Sequence, residues 1–505
     1  MRVRWVSIPP PVQKSLLTAL RNTIFKMNEQ EASNTISGLG RLEVSWSTLP
    51  QSLRQAIGGA FLSYLPVLGP KGLAMSVHGL GRMSADISTL PSQFRENIMI
   101  ATCNISSVFN AQEVSNTLYG LGKIGTKVPD FSTHQGRLLF KENAENKYLT
   151  KCATVQLMKA LTREAWQMSA QGISNSLWGL MLMQAQWKSF TGSQKNAIMQ
   201  ALSRELCNMD EQQMANTIYS LGSMGVTWNS LKDHEVQVTE SSEETTEDLQ
   251  DHLIFALGET ASHMVPAGVV MTMIGLGKMG ASWKSLPLQL KNRISDALVR
   301  VLRSASYRTV SALIFALTVC EIRWSDLSEK VQTAIKESIG RSYWDAIDLM
   351  PSRDDGNGGS QMAQNTSAID SILFDTPTQE AATVPRRLPA MKDVASQSSL
   401  ELESKFSSSR DQHLVYTLGI LDVTWDELGI SAQRSICNSL KYRLISMDEQ
   451  GVVNSLYGFS CMGVKWNQLG DSLKAVLLEA LRRVSDSMGE QGVAVTVLSL
   501  AKLDV

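Results

Sequence analysis

Five glutamines in similar surroundings along this 505-residue chain are each followed four residues later by an asparagine: Gln30 and Asn34, Gln112 and Asn116, Gln171 and Asn175, Gln212 and Asn216, Gln450 and Asn454. In four of the five an aromatic residue comes three places further on: Tyr119, Trp178, Tyr219 and Tyr457. The aromatic place holds His78, Phe315 and Tyr416 elsewhere, and four residues beyond it stand the cations Arg41, Arg82, Lys123, Lys278 and Lys502. Gln491 and His413 occupy the first and second amide places in two further copies. On a helix, at about 100° per residue, the four places fall within about 60° of one another. One helix stripe therefore offers two amides, an aromatic ring and a cation. That set suits single-stranded RNA: rings stack on unpaired bases, amides pair with base edges, and cations meet phosphate. A purely structural use of the same residues is equally consistent with the spacing. The asparagines can bond to one another between neighbouring helices, the rings can pack against an adjacent helix, and the glutamines can simply be solvated.

Other chemistry has little support. The only histidines are His78, His134, His234, His252, His263 and His413, and no metal-ligand spacing, phosphate-binding loop or nucleophile elbow accompanies them. GLGKMG is glycine-rich but ends a helical pattern instead of following a strand. The expectation is a non-enzyme with no metal and no cofactor. No apolar run approaches the roughly 20 residues of a membrane span. Cys103, Cys152, Cys207, Cys320, Cys437 and Cys461 form no CxxC pair and read as buried thiols of a reducing compartment.

The elements that carry the stripe repeat. Blocks such as NTISGLGRLEVSW, NTLYGLGKIGTKV, NTIYSLGSMGVTW and NSLYGFSCMGVKW recur about a small anchor residue: Gly38, Gly79, Gly120, Gly179, Ser220, Gly275, Ala316, Thr417, Gly458 and Ser499. Six of the nine intervals are 41 residues, and the others, 59, 55 and 101, carry insertions of 18, 14 and 60. Eight residues after the anchor comes Trp46, Trp187, Trp228, Trp283, Trp324, Trp425 or Trp466, with Trp5 in the same phase and Ile87 and Val128 as replacements. A large aromatic at one repeated place is expected to plug the joint between repeats.

Each unit reads as two helices. Helix A starts at Asn28, Asn110, Ser169, Asp210, Ser306 or Asp448, whose side chains can accept from first-turn N–H groups, and Glu31, Glu113 and Gln213 complete capping boxes. It ends near Gly125, Gly225, Gly280 or Gly463. Its core side reads Ile173, Leu177, Leu180 and Met183 in one copy. Gly40, Gly81, Gly122, Gly222 and Gly277, two after the anchor, predict close helix packing. Helix B follows the tryptophan, with Pro9, Pro50, Pro91 and Pro287 in its first turn. The fold expected is all-α: a right-handed α-solenoid of about ten 41-residue helix-turn-helix repeats. The array occupies 1–344, with inserts at about 132–148 and 233–251, then a linker 345–402, then further array in 403–505; the acidic insert 233–251 and the linker are both expected to be disordered. The net charge of the chain is −1, but the acidic insert contributes −8 and residues 345–400 contribute −4, so the repeats alone sum to about +11. A basic array agrees with a phosphate-bearing partner. Both ends fall in mid-unit, which reads as a fragment or a truncated gene model, from which a presequence could be missing rather than absent.

The repeat resembles the octotricopeptide repeats of organelle RNA-binding proteins, whose first helix carries an N-x-[LI]-[WY]-[GA]-L-[GA]-K-[LM]-G run. Asn116 to Gly125 and Asn216 to Gly225 match it best. FAST-kinase-like mitochondrial proteins and helical-repeat proteins of mitochondrial RNA-editing complexes are similar in kind. The likeness covers nearly all of the chain outside its inserts. The period of 41 is a few residues longer than the usual octotricopeptide unit, the proline-rich stretch between helices is missing, and no RAP-like domain is visible. The resemblance implies single-stranded RNA as partner, alongside other proteins of a ribonucleoprotein complex. It implies RNA processing, stability or translation control in a mitochondrion or plastid; without it the expected place is the cytoplasm. It implies neither a membrane nor a small-molecule substrate. The competing reading is a protein-binding scaffold of HEAT or TPR type.

Overall fold

The computed structural model describes residues 4–86, 89–90, 92–126, 144–237, 246–348 and 414–505. Ile87, Pro91, Val128, His134, His413 and most of the 345–402 linker lie outside the described residues. The described residues form helices, with one exception. Glu235–Gln237 pairs antiparallel with Thr246–Asp248, Glu235 opposite Asp248. The acidic insert therefore has ordered flanks, and its last residues, from Leu249, already belong to the helix Leu249–Ala261. The expectation of a wholly disordered insert and of no strand is corrected to that extent. The cause is local: Val236 and Thr246 are β-formers on either side of the most acidic stretch.

The chain divides into two compact units, Met1–Ala256 and Leu257–Val505. In the first, the A helices Glu29–Arg41, Pro70–Arg82, Ala111–Lys123, Ala170–Leu182 and Glu211–Met224 each pack on the next. The B helices Pro10–Thr23, Gln51–Tyr64, Ser92–Ile105, Ala144–Glu164 and Gly192–Glu205 do the same. In the second unit the A helices Pro266–Lys278, Tyr307–Val319, Leu414–Ile420, Glu449–Cys461 and Glu490–Leu503 stack in order. The B helices Leu288–Leu302, Glu329–Asp348, Trp425–Arg443 and Asp471–Val484 stack beside them. This is the neighbour-to-neighbour packing of a helical solenoid. The stacking resumes in register after residues 349–413: Tyr307–Val319 packs on Leu414–Ile420.

The sequence signals that build these helices act as their chemistry requires. Asn28, Asn110, Ser169, Asp210, Ser306 and Asp448 all cap helix A, and Asn28–Glu31, Asn110–Glu113 and Asp210–Gln213 are complete capping boxes. Pro9, Pro50 and Pro287 stand at the N-cap itself, one place earlier than the first turn. Five residues after the anchor the backbone is left-handed in every described copy. Glycine holds that place at Gly125, Gly225, Gly280 and Gly463, and Glu43, Ser84, Gln184, Glu321, Asp422 and Asp504 adopt it without glycine, at φ of 54° to 61°.

Two features tie repeat to repeat. Trp46, Trp187, Trp228, Trp283, Trp324 and Trp425 are buried, as expected for the joint, whereas Trp5 and Trp466 are half-buried. The tryptophan backbone also bonds to the end of the next helix A: Trp5 N–H to the Leu42 carbonyl at 2.8 Å, Trp46 to Met83 at 2.8 Å, Trp324 to Leu421 at 2.8 Å and Trp425 to Met462 at 2.9 Å. The anchor glycines form the other tie. A Cβ on Gly79 would stand 2.7 Å from the Ile36 carbonyl oxygen, and one on Gly120 only 2.5 Å from that of Val77. Gly122 meets Gly179, and Gly458 meets Val415, in the same way. Only a residue with no side chain lets the A helices approach this closely. Cysteine usage differs from expectation. Cys320 is buried, Cys437 is half-buried, Cys207 and Cys461 are exposed, and Cys103 is disulfide-bonded. Cys207 lies in the short turn Leu206–Asn208 after a helix B and Cys461 is the last residue of a helix A, places where helical patterning alone does not report burial.

Candidate nucleic-acid interface

The helix A stripe is on the surface at its amide end and sinks inward at its aromatic end. Gln30, Gln112, Gln171, Gln212, Gln450 and Gln491 are exposed, as are Asn34, Arg41 and Lys502. Asn116, Asn175, Asn216 and Asn454 are half-buried, together with His78, Arg82, Tyr119, Lys123, Lys278, Phe315, Tyr416 and Tyr457. Trp178 is only 4 % exposed and Tyr219 only 7 %. These two rings are core, not stacking platforms, and the sequence reading is corrected for both.

The anchor glycine explains why. It immediately follows the aromatic place, and the close helix approach it permits drives neighbouring rings together. His78 and Tyr119 lie with centroids 5.3 Å apart, Trp178 and Tyr219 6.0 Å apart, and Tyr416 and Tyr457 5.9 Å apart, all tilted. Each ring spends a face on its neighbour, in the separation range favoured by aromatic pairs. His78 shows the consequence for charge. Burial, then the nearby Arg82 and Arg41 guanidinium groups, lower its pKa to about 4, so it is neutral at pH 7. Burial raises the Tyr119 hydroxyl above its usual value, with Arg82 opposing. Arg41 and Arg82 thus make the outer edge of this seam positive, although Glu43 stands 4.0 Å from Arg82 and 3.3 Å from Arg4.

The asparagines do not bond to one another. Among the described residues the side chains of Asn34, Asn116, Asn175 and Asn216 take part in no hydrogen bond, and Asn454 accepts one from Gln450 of its own helix at 2.9 Å. The inter-repeat ladder is not formed. What remains is a row of side-chain amides without protein partners, exposed at Asn34 and half-buried at Asn116, Asn175 and Asn216.

The row does not run through every repeat. In Pro266–Lys278 the three places before the cation are Ala267, Met271 and Ile274, all buried. In Tyr307–Val319 they are Arg308, Ala312 and Phe315, all half-buried. The first unit carries amides on Glu29–Arg41, Ala111–Lys123, Ala170–Leu182 and Glu211–Met224, with Lys71 and Met75 at the equivalent places of Pro70–Arg82. In the second unit the two amides and the ring stand together on Glu449–Cys461 alone, with Cys461 in place of the cation.

Sequence reasoning missed how some of the basic residues are used. Twenty-five places after the anchor, once inserts are removed, stand Arg163, Arg204, Arg300, Arg341 and Arg483. Each donates to carbonyls ending the preceding helix B: Arg163 to Phe109 at 2.6 Å, Arg204 to Met168 at 2.6 Å and Arg483 to Met447 at 2.6 Å, with Arg300 to Met264 and Arg341 to Leu302 alike. A cation at a helix C-terminus is favourable, so part of the basic excess is architectural. The constant spacing was the signal available. Among the described residues no group of three or more His, Cys, Asp or Glu side chains is placed to hold a metal ion, and no helix is long and apolar enough to cross a membrane. No known protein family matches the chain, and no curated protein matches it significantly.

Proposed function

We propose that this chain is an RNA-binding helical-repeat protein, a right-handed array of about ten 41-residue units that holds single-stranded RNA along the A helices of its first unit. The observation that carries the reading is the row of amides without protein partners at Asn34, Asn116, Asn175 and Asn216, flanked by exposed glutamines and edged by Arg41, Arg82 and Lys123. An amide left without a partner in a half-buried setting gains most from a ligand that offers both donor and acceptor, as the edge of an unpaired base does. Base stacking is confined to the open edges of rings such as Tyr119 and is no longer the main source of affinity. The organelle setting, in RNA processing, stability or translation control, rests on the octotricopeptide likeness of Asn116 to Gly125 and Asn216 to Gly225. No enzymatic role is proposed.

The test is a titration of the full chain with a randomised single-stranded RNA pool and with duplex RNA, paired with melts. Single strands bind better than duplex. Asn116→Ala or Asn175→Ala changes base preference while the melt is unchanged. A well-folded chain that binds no RNA at low salt ends the reading.

A second reading has its own support. At four successive B-to-A turns of the first unit one large apolar side chain is exposed: Phe25 at 62 %, Val67 at 65 %, Val108 at 66 % and Trp166 at 69 %. Such a row favours a protein partner. The two readings use different elements, so a protein of a ribonucleoprotein complex can occupy this edge while RNA occupies the amide row.

A further inference from the structure

One further pair of residues breaks the repeat and meets in space. The turn place that holds Phe25 and Trp166 in two other repeats holds Cys207, and it is exposed. His252 stands on the helix Leu249–Ala261, at a place where other B helices carry Ala56, Ala197, Arg293 or Ala334. The two are brought together because the ribbon Glu235–Gln237/Thr246–Asp248 and the bond from Leu249 N–H to the His234 carbonyl at 2.9 Å set where this helix begins. The Cys207 sulfur lies 2.9 Å from Nε2 of His252. Packing demands neither a cysteine nor a histidine at these places, since other repeats hold Phe25 or Trp166 at the one and Ala56, Ala197, Arg293 or Ala334 at the other.

We propose that Cys207 and His252 form a thiolate–imidazolium pair, and that Cys207 is a reversible modification site for hydroperoxides. A thiol in direct contact with an imidazole shares its proton with it, and the thiolate is the nucleophilic form. The elements around the pair carry Arg204 and Glu205, which pair with each other at 2.9 Å, and Asp210, which caps Gln213. They also carry Asp248, which caps Asp251, and Asp251 itself at the start of the histidine's helix. In the reaction the thiolate attacks the terminal oxygen of the hydroperoxide. The S–O bond forms, the O–O bond breaks, sulfur is oxidised to a sulfenic acid and the peroxide is reduced. The departing alkoxide takes the Nε2 proton of His252, leaving a neutral alcohol and a neutral imidazole. A thiol reductant reverses the change.

Cys461 supplies an internal comparison, because it is the other exposed thiol among the described residues and its polar neighbour is the Tyr457 hydroxyl rather than a histidine. Iodoacetamide labelling of the full chain, followed by peptide mass spectrometry across pH 5 to 9, reads both sites at once. At pH 6 Cys207 is expected to alkylate about tenfold or more faster than Cys461, because the thiolate is the form that reacts. His252→Asn and His252→Gln, each checked for native helicity, remove the advantage and return Cys207 to a single ionisation near about 8.5. Dimedone trapping after hydrogen peroxide treatment marks Cys207 in the wild type before Cys461. Equal alkylation rates at the two cysteines, unchanged by either histidine substitution, overturn the ion pair. No dimedone adduct at Cys207 at peroxide concentrations that oxidise Cys461 overturns the hydroperoxide site.

Discussion

The smallest side chains carry the sharpest structural demand. Gly120 has no room for a Cβ, because the Val77 carbonyl lies 2.5 Å from where it would stand, whereas a Cβ on Gly38 would meet nothing within 4 Å. Gly120→Ala therefore forces the Pro70–Arg82 and Ala111–Lys123 helices apart and is expected to destabilise by about 1–3 kcal/mol, the usual range for overpacking. Gly38→Ala, in a helix interior with open space, is expected to stabilise by about 0.5–1 kcal/mol. Paired urea melts measure both, and equal effects at the two sites would refute the seam. His78 makes a second prediction. Its folded pKa of about 4 lies below the ordinary 6.5, so the unfolded chain takes up the proton first. Stability is then complete above pH 6.5 and falls as the pH is lowered towards 4, by on the order of 3 kcal/mol. His78→Gln is expected to flatten that limb of the stability–pH curve, read from urea midpoints between pH 4 and 7.

At the scale of the element, every helix A ends in the same left-handed residue, but only some copies place glycine there. Ser84 holds φ 54° and Gly225 φ 86°. A left-handed residue with a Cβ costs roughly 1 kcal/mol more than glycine. Ser84→Gly is expected to stabilise by about that amount, less some added freedom in the unfolded chain, and Gly225→Ala to destabilise by about 1 kcal/mol although its Cβ meets nothing. Hydrogen exchange of the helix ends Gly79–Met83 and Leu221–Gly225 locates the effect. A protection change confined elsewhere would count against it. The same element logic explains the arginine staples, which close the ends of one helix B from the next.

For the whole molecule, a net charge of −1 conceals a separation between basic repeats and acidic inserts. RNA affinity is expected to fall steeply with salt, since each neutralised phosphate releases counterions. Arg41→Ala, Arg82→Ala and Lys123→Ala should each lower affinity for all sequences and reduce the salt slope by about 1. Gel shifts between 50 and 300 mM salt test this, and slopes unchanged by all three substitutions would place the RNA elsewhere. Arg204→Ala serves as the control: it removes an equal charge at a staple, and is expected to affect stability more than the slope.

The period, the two-helix unit, the caps and the tryptophan joint could all be read without coordinates. Each depends on contacts within about ten residues or on a pattern repeated with fixed spacing. Asn28 caps because Glu31 is three residues away, and Trp46 belongs to a place that most described copies bury. The stripe was legible as a set of positions, since 100° per residue places Gln112, Asn116, Tyr119 and Lys123 side by side. How deep each side chain lies was not legible. That depth depends on the distance between two helices 41 or more residues apart, which the glycine seam sets and no single helix records. Hence Trp178 and Tyr219 turn out to be core while Asn116 and Asn175 keep their amides open. The meeting of Cys207 with His252 across the acidic insert was hidden for the same reason: a contact that breaks the repeat has no periodic signal to announce it.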